Sequence, residues 1–211
     1  MAIDFSVRGS PGWWLARQFA RLSDPRRRRR LQMLWDWQHG EAPLPDNLHA
    51  ARESFRAFLR MSRTNFAGLI VSSVSERLMP VGFRTAVDPD ETGDPVSAAL
   101  WKRAGMEVRA TEVHEMMLGL SEAYVIVGPV DPDTGAPVIT AEDPRTMVGE
   151  SDPVMPWRLR AALKVVYDDI DEVDRAYLYL PGYVYVAFRR NRHGLDTARV
   201  TGPLDAPKIP Y

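Results

Sequence analysis

The period of the apolar residues changes once along this chain, close to residue 120, and that change restricts the fold more than any other feature. Up to Leu118 apolar side chains recur three and four places apart, as on one face of an α-helix. From Tyr124 they alternate with polar ones, as on a half-buried strand. The expectation is an α+β chain, N-terminal helices followed by a mainly antiparallel sheet, with 1–123 mainly helical and 124–211 rich in strand. A chain of 211 residues can bury roughly 70% of its unfolded surface. With 45% hydrophobic and 26% charged residues, it needs neither a cross-link nor a metal to fold.

Clear stops separate the helices. Trp13 to Leu22 is a short one, ended by Ser23-Asp24-Pro25, where Asp24 suits the N-cap of the next helix and Pro25 its first position. The second runs to about Gln38, with Leu31, Leu34 and Trp35 on one face and Gly40 as its stop. Prolines stiffen the loop Glu41-Ala42-Pro43-Leu44-Pro45. Asp46 or Asn47 then caps a helix carrying Leu48, Phe55, Phe58 and Leu59, and another begins near Arg63 with Phe66, Leu69, Ile70, Val74 and Leu78. These two are expected to pack by their apolar stripes. An acidic loop, Asp88 to Pro95, precedes helices from Ser97 to Arg103 and from Glu107 to Leu118, the last with Gly119 as its stop.

Strands follow. Tyr124 to Val130 and Ala136 to Ala141 flank Asp131-Pro132-Asp133-Thr134-Gly135, a hairpin by composition and spacing. Ala161 to Tyr167 is a further strand, then an acidic turn from Asp168 to Asp174. Tyr177 to Leu180 and Tyr183 to Phe188 alternate around Pro181-Gly182, the clearest hairpin in the chain. The proline-rich tail from Thr201 to Tyr211 has no closing element of its own and resembles a connection into something further.

The chemistry implied by the sequence is mostly negative. There is no cysteine, which excludes disulfides, thiolate zinc sites and cysteine nucleophiles. The N-terminus has no signal-peptide pattern, and no apolar run reaches membrane-spanning length. His39, His49, His114 and His193 are far apart, and Leu118 stands where His114-Glu115 would need a second histidine for zinc. Gly119-Leu120-Ser121-Glu122-Ala123 has alanine where a nucleophile elbow needs glycine. Phosphate-binding glycine loops are missing, and the acidic run Asp168 to Asp174 lacks the spacing of a calcium loop. No catalytic residue, cofactor or metal is therefore assigned.

Charge is divided unevenly. To Arg84 the chain has fourteen basic residues against seven acidic, and afterwards thirteen against twenty-one. Such a split suits head-to-side packing of identical subunits, contact with a polyanion, or a patchwork surface with no partner. The most polar feature is Arg26-Arg27-Arg28-Arg29-Arg30, with Arg17 and Arg21 upstream. Five consecutive helical residues span more than a turn and cannot all face one phosphate backbone. The run reads first as a solvated helix face and second as a contact with nucleic acid or an acidic partner. Trp13, Trp14, Trp35 and Trp37, interleaved with it, suit a core or a subunit interface better than base stacking.

Several strings in one order carry a family resemblance. They are Trp35 to Pro45, Phe58 to Asn65, Glu76 to Arg84, Trp101 with Gly105 and Met106, and Glu115 to Val127 with Gly119 and Tyr124. Ile139 to Pro144, Ala161 to Val165 and Tyr177 to Gly182 continue the series. Together they resemble the N-terminal, wing-region part of portal proteins from long-tailed phages of actinobacterial hosts. The resemblance implies a structural, non-enzymatic subunit of a dodecameric ring at one capsid vertex, the conduit for DNA packaging and ejection. Its implied partners are further copies of itself, the terminase large subunit, the major capsid or scaffolding protein, a head-tail adaptor, and double-stranded DNA passing non-specifically. No membrane is implied. The implied location is the virion, and the host cytoplasm during assembly. Family members are more than twice as long, and their tunnel-lining stem, clip and crown have no counterpart in these residues. Arg26 to Arg30 and the acidic turns at Asp88 to Asp94 and Asp168 to Asp174 are the candidate contacts with neighbouring subunits, capsid or DNA. The alternative function is a nucleic-acid-binding adaptor using the arginine-rich helices.

Overall fold

Ser10 sets the start of the first helix: its hydroxyl accepts the Trp13 N–H at 3.2 Å and Pro11 follows it, so α1 (Pro11–Leu22) begins two residues earlier than predicted. The structure, a computed structural model, describes residues 5–43, 53–61, 64–84, 93–189 and 209–210. The break at Ser23-Asp24 is as expected, with the Asp24 carboxylate accepting the Arg26 N–H at 2.8 Å and Pro25 opening α2 (Pro25–Gln38). Gly40 ends that helix at φ +75°, a conformation that strains any residue with a Cβ. α3 (Glu53–Met61) and α4 (Phe66–Ser75) follow, α4 capped by Asn65, whose side-chain oxygen accepts the Gly68 N–H at 2.9 Å. Asp94 caps α5 (Pro95–Arg103), and α6 (Met106–Leu120) begins after Gly105. The proposed caps Asp46 and Asn47, together with Leu48, Arg63 and the acidic residues 88–92, lie outside the described residues.

Two sequence expectations fail here. Gly119 is not the stop of α6: the helix continues to Leu120, and Ser121 takes the left-handed conformation at φ +63°. Gly119 is small for another reason, because a Cβ there would stand 1.9 Å from Oε1 of Gln38. Nor do α3 and α4 pack by their apolar stripes. Phe55, Phe58, Phe66, Leu69, Ile70 and Val74 are all exposed, and α4 packs on α6 instead. The small residues of α4 allow a closer helix contact than its bulky ones, and that contact decides which face turns inward.

The chain forms two compact units, Met1–Arg28 with Pro144–Tyr211, and Arg29–Asp143. In the first, α1 lies on an antiparallel sheet ordered β3 (Met147–Ser151), β4 (Leu159–Asp168), β5 (Val173–Leu180), β6 (Tyr183–Arg189) and β7 (Ile209–Pro210). Register aligns apolar residues in rows across the sheet: Val148, Leu163, Leu178 and Tyr185 are successive partners, and Val165, Ala176 and Ala187 form the next row on the same face. Leu15 and Leu22 of α1 close over these rows, with Trp14 and Phe19 beside them. Pro181-Gly182 makes the tight β5–β6 turn, with Gly182 at φ +82°. The sequence reading missed β3, whose Met-Val-Gly-Glu-Ser has one β-branched residue and a central glycine. From the tail, Ile209–Pro210 pairs with the start of β6.

In the second unit the hairpin of β1 (Tyr124–Asp131) and β2 (Ala136–Glu142) packs on α6. Ala104, Met106, Ala110 and Ala136 form its core, flanked by Trp101 and Ile139. The Asp131 carboxylate accepts the Asp133 N–H at 3.0 Å and Gly135 turns at φ +62°, which fixes the turn that composition predicted. The pairing slips between Val127 and Val130, where Pro129 has no N–H to give to the ladder.

Candidate interaction surfaces

The structure disperses the arginine run. Arg26, Arg28, Arg29 and Arg30 are exposed, while Arg27 is half-buried and donates to the Met147 carbonyl at 3.3 Å. Arg30 pairs with Glu122 at 2.9 Å, within the second unit. The five side chains thus radiate around the first turns of α2 rather than forming one face, as the 100° step per residue requires. Among the tryptophans, Trp14 joins the α1–sheet core, Trp13 meets it edge-to-face at 4.9 Å, Trp35 stacks on His39 at 3.8 Å, and Trp37 is exposed.

The upstream arginines converge on one carboxylate. Arg17 grips Glu150 of β3 through Nε and Nη2, both at 2.8 Å, and Arg21 reaches the same group at 3.3 Å. Gln18, fully buried between them, donates its amide at 3.0 Å. The Arg17 hydrogen bond is the first cause holding the Glu150 carboxyl below its ordinary range, against a partial loss of hydration. Sequence alone indicates a basic side on α1, but it gives no sign that Glu150, more than 130 residues away, is its counterpart.

Helix α4 presents a reversed amphipathic pattern. Ala67, Gly68, Val71, Ser72 and Ser75 are the half-buried and buried positions, whereas Phe66, Leu69 and Ile70 are 65%, 61% and 64% exposed. A helix with its bulky apolar stripe in solvent has the pattern of an interaction face rather than of a core element. The stripe was legible in the sequence, but its direction was not.

The acidic turns act on their own backbone. Asp94 caps α5 through Ser97 Oγ at 2.6 Å and the Val96 N–H at 2.9 Å, and these bonds, Ser97 first, lower its pKa. Asp168 accepts the Ile170 and Asp171 N–H groups and pairs with Arg175 at 2.7 Å. Arg175 also meets Asp171 and lies 5.2 Å over the Phe188 ring, so part of the acidic charge is balanced within the hairpin. Among the described residues no three His, Asp or Glu side chains are grouped to hold a metal, and no helix is long and apolar enough to cross a membrane.

No protein-family model matches the chain. A portal protein from Mycobacterium phage D29 is 27% identical to it over 136 residues, 61% of this chain. That alignment takes in 27% of the phage protein, so the chain spans about a quarter of the length of the relative it matches. What this chain is similar to, over 61% of its length, is therefore part of a phage portal protein.

Proposed function

We propose that this chain is a portal-related structural segment that acts by self-association and not by catalysis. The observation that carries the reading is the outward apolar stripe of α4, Phe66, Leu69, Ile70 and Val74, on a chain similar to a portal protein. Covering each of these side chains would contribute about 1–2 kcal/mol, and four together would support a share of a larger contact of ~800 Å² per partner. The occupant proposed for the stripe is a second copy of the chain.

The finer reading is a wing-region part of a ring subunit, 1–123 as its helical portion and 124–211 as its strand-rich one. The ring stands at a capsid vertex and conducts DNA during packaging and ejection. The terminase large subunit, capsid or scaffolding protein and a head-tail adaptor meet it there, and Arg26 to Arg30 and the acidic turns contribute to those contacts. Native mass spectrometry across protein and salt concentration, followed by negative-stain imaging, tests the reading. Closed rings are expected, and a strict monomer at every concentration overturns it.

A second reading has one observation in its favour, the exposed side chains of Arg26, Arg28 and Arg29 in the first turns of α2. An adaptor that neutralises three backbone phosphates would lose affinity for duplex DNA with a log–log salt slope of about −3. Binding without that slope removes this alternative.

A further inference from the structure

The outer edge of β3 is closed by arginines. β3 stands at one end of its sheet, and among the described residues no strand lies on its other side. An edge of this kind presents backbone N–H and C=O groups that can recruit another strand. The register tells which groups point outward. Val165 N–H bonds to the Thr146 carbonyl at 2.9 Å, and Met147, Val148 and Gly149 pair in turn with Lys164, Leu163 and Ala162. Antiparallel pairs alternate between those that exchange hydrogen bonds and those that do not, so Met147 and Gly149 direct their carbonyls away from β4. Those two carbonyls are the ones the guanidinium groups reach: Arg21 donates to Gly149 at 3.1 Å and Arg27 donates to Met147 at 3.3 Å.

We propose that Arg21 and Arg27 guard the β3 edge, occupying its outward carbonyls so that a strand from a second copy of the chain cannot add there. The spacing fits the task. The two outward carbonyls are two residues apart on β3, and the arginines are six apart across the Ser23-Asp24 break. The chain turns at that break, so α1 and the first turn of α2 each supply one donor. The positive charge adds a second barrier, because an incoming β3 edge would bring its own guanidinium groups against the first. This guard is independent of the portal reading, since it concerns where the chain does not associate.

The test compares Arg21→Ala/Arg27→Ala with the wild type by sedimentation velocity at matched concentrations. The chain has no cysteine, so a nitroxide on Ser151→Cys reports on the β3 edge alone. The double variant is expected to associate at a roughly tenfold lower concentration, with a new intermolecular dipolar coupling at residue 151. Arg17→Ala, which loses a Glu150 contact but no β3 carbonyl contact, is expected to behave as the wild type. Gly149→Pro added to the double variant removes an outward N–H and blocks strand addition, and should return association to the wild-type level. Unchanged association and coupling in the double variant would overturn the proposal. So would equal association by Arg17→Ala, or association that persists with the proline and therefore comes from unfolding.

Discussion

Replacing Glu150 by alanine isolates the cluster that ties α1 to the sheet, and its cost can be worked out contact by contact. Arg17 holds the carboxylate with two bonds of 2.8 Å, but its side chain is 46% exposed, so that pair contributes about 0.5–1 kcal/mol. Arg21, equally exposed and at 3.3 Å, adds a few tenths. Gln18 is fully buried and donates to Glu150, so alanine would leave that donor without an acceptor, at about 1–3 kcal/mol. Glu150→Ala should therefore destabilise the α1–sheet unit by about 2–3 kcal/mol. Glu150→Gln keeps an acceptor for Gln18 and should lose about 1 kcal/mol. Urea unfolding at pH 7, with amide exchange at β3 and β4 as a local readout, measures both. The pH dependence has a fixed sign. The folded state holds this carboxyl below its ordinary range, so the advantage of wild type over Glu150→Gln is full above the unfolded carboxyl's value. It disappears as pH falls through the folded one. An alanine variant within about 0.5 kcal/mol of wild type, a glutamine variant as costly as alanine, or a gap that persists in acid would refute this reasoning.

Other outcomes follow from single positions. At Gly68 an alanine Cβ would stand 2.6 Å from the Gln38 carbonyl and 2.4 Å from Asn65 Nδ2, so Gly68→Ala should lower stability by about 2 kcal/mol despite a better helix propensity; calorimetric unfolding measures it. At Gly119 the three atoms nearest an alanine Cβ belong to the movable Gln38 amide end, so Gly119→Ala should fall within about 1 kcal/mol of wild type in the same experiment, the propensity gain offsetting the displacement. Ser121→Gly should stabilise by about 1 kcal/mol, because it relieves a left-handed residue at φ +63°. Asp152 bonds to Arg160 and to the Val154 and Met155 N–H groups, which hold its carboxyl down to about 2. NMR titration should find that midpoint, and Arg160→Ala should raise it.

Local features were the most legible part of the fold. The cap at Asp24, the stop at Gly40, and the turns at Asp131 to Gly135 and Pro181-Gly182 are short-range chemistry that a sequence carries on its face. The α+β order was legible for the same reason, since the apolar period changes between Leu120 and Tyr124. Long-range facts were not. Nothing local says that α1 returns to strands that begin at Met147, or that Arg17 and Glu150 meet. The direction of the α4 stripe was hidden because a helical period gives the face and not what it faces. Gly119 shows how a glycine can be misread: close approach of Gln38 explains it, where a helix stop was the nearer inference. The arginine run drew notice by composition, yet the better-organised basic cluster is the upstream pair.

Sedimentation velocity of the wild type beside Leu69→Asp/Ile70→Asp tests self-association through α4 most directly. Both positions are more than 60% exposed, so the substitutions leave the fold of the unit intact. The wild type should form large species in a concentration-dependent way, and the variant should sediment as a monomer with an unchanged circular dichroism spectrum. Equal assembly by the variant, or a wild type that stays monomeric throughout, would contradict the account.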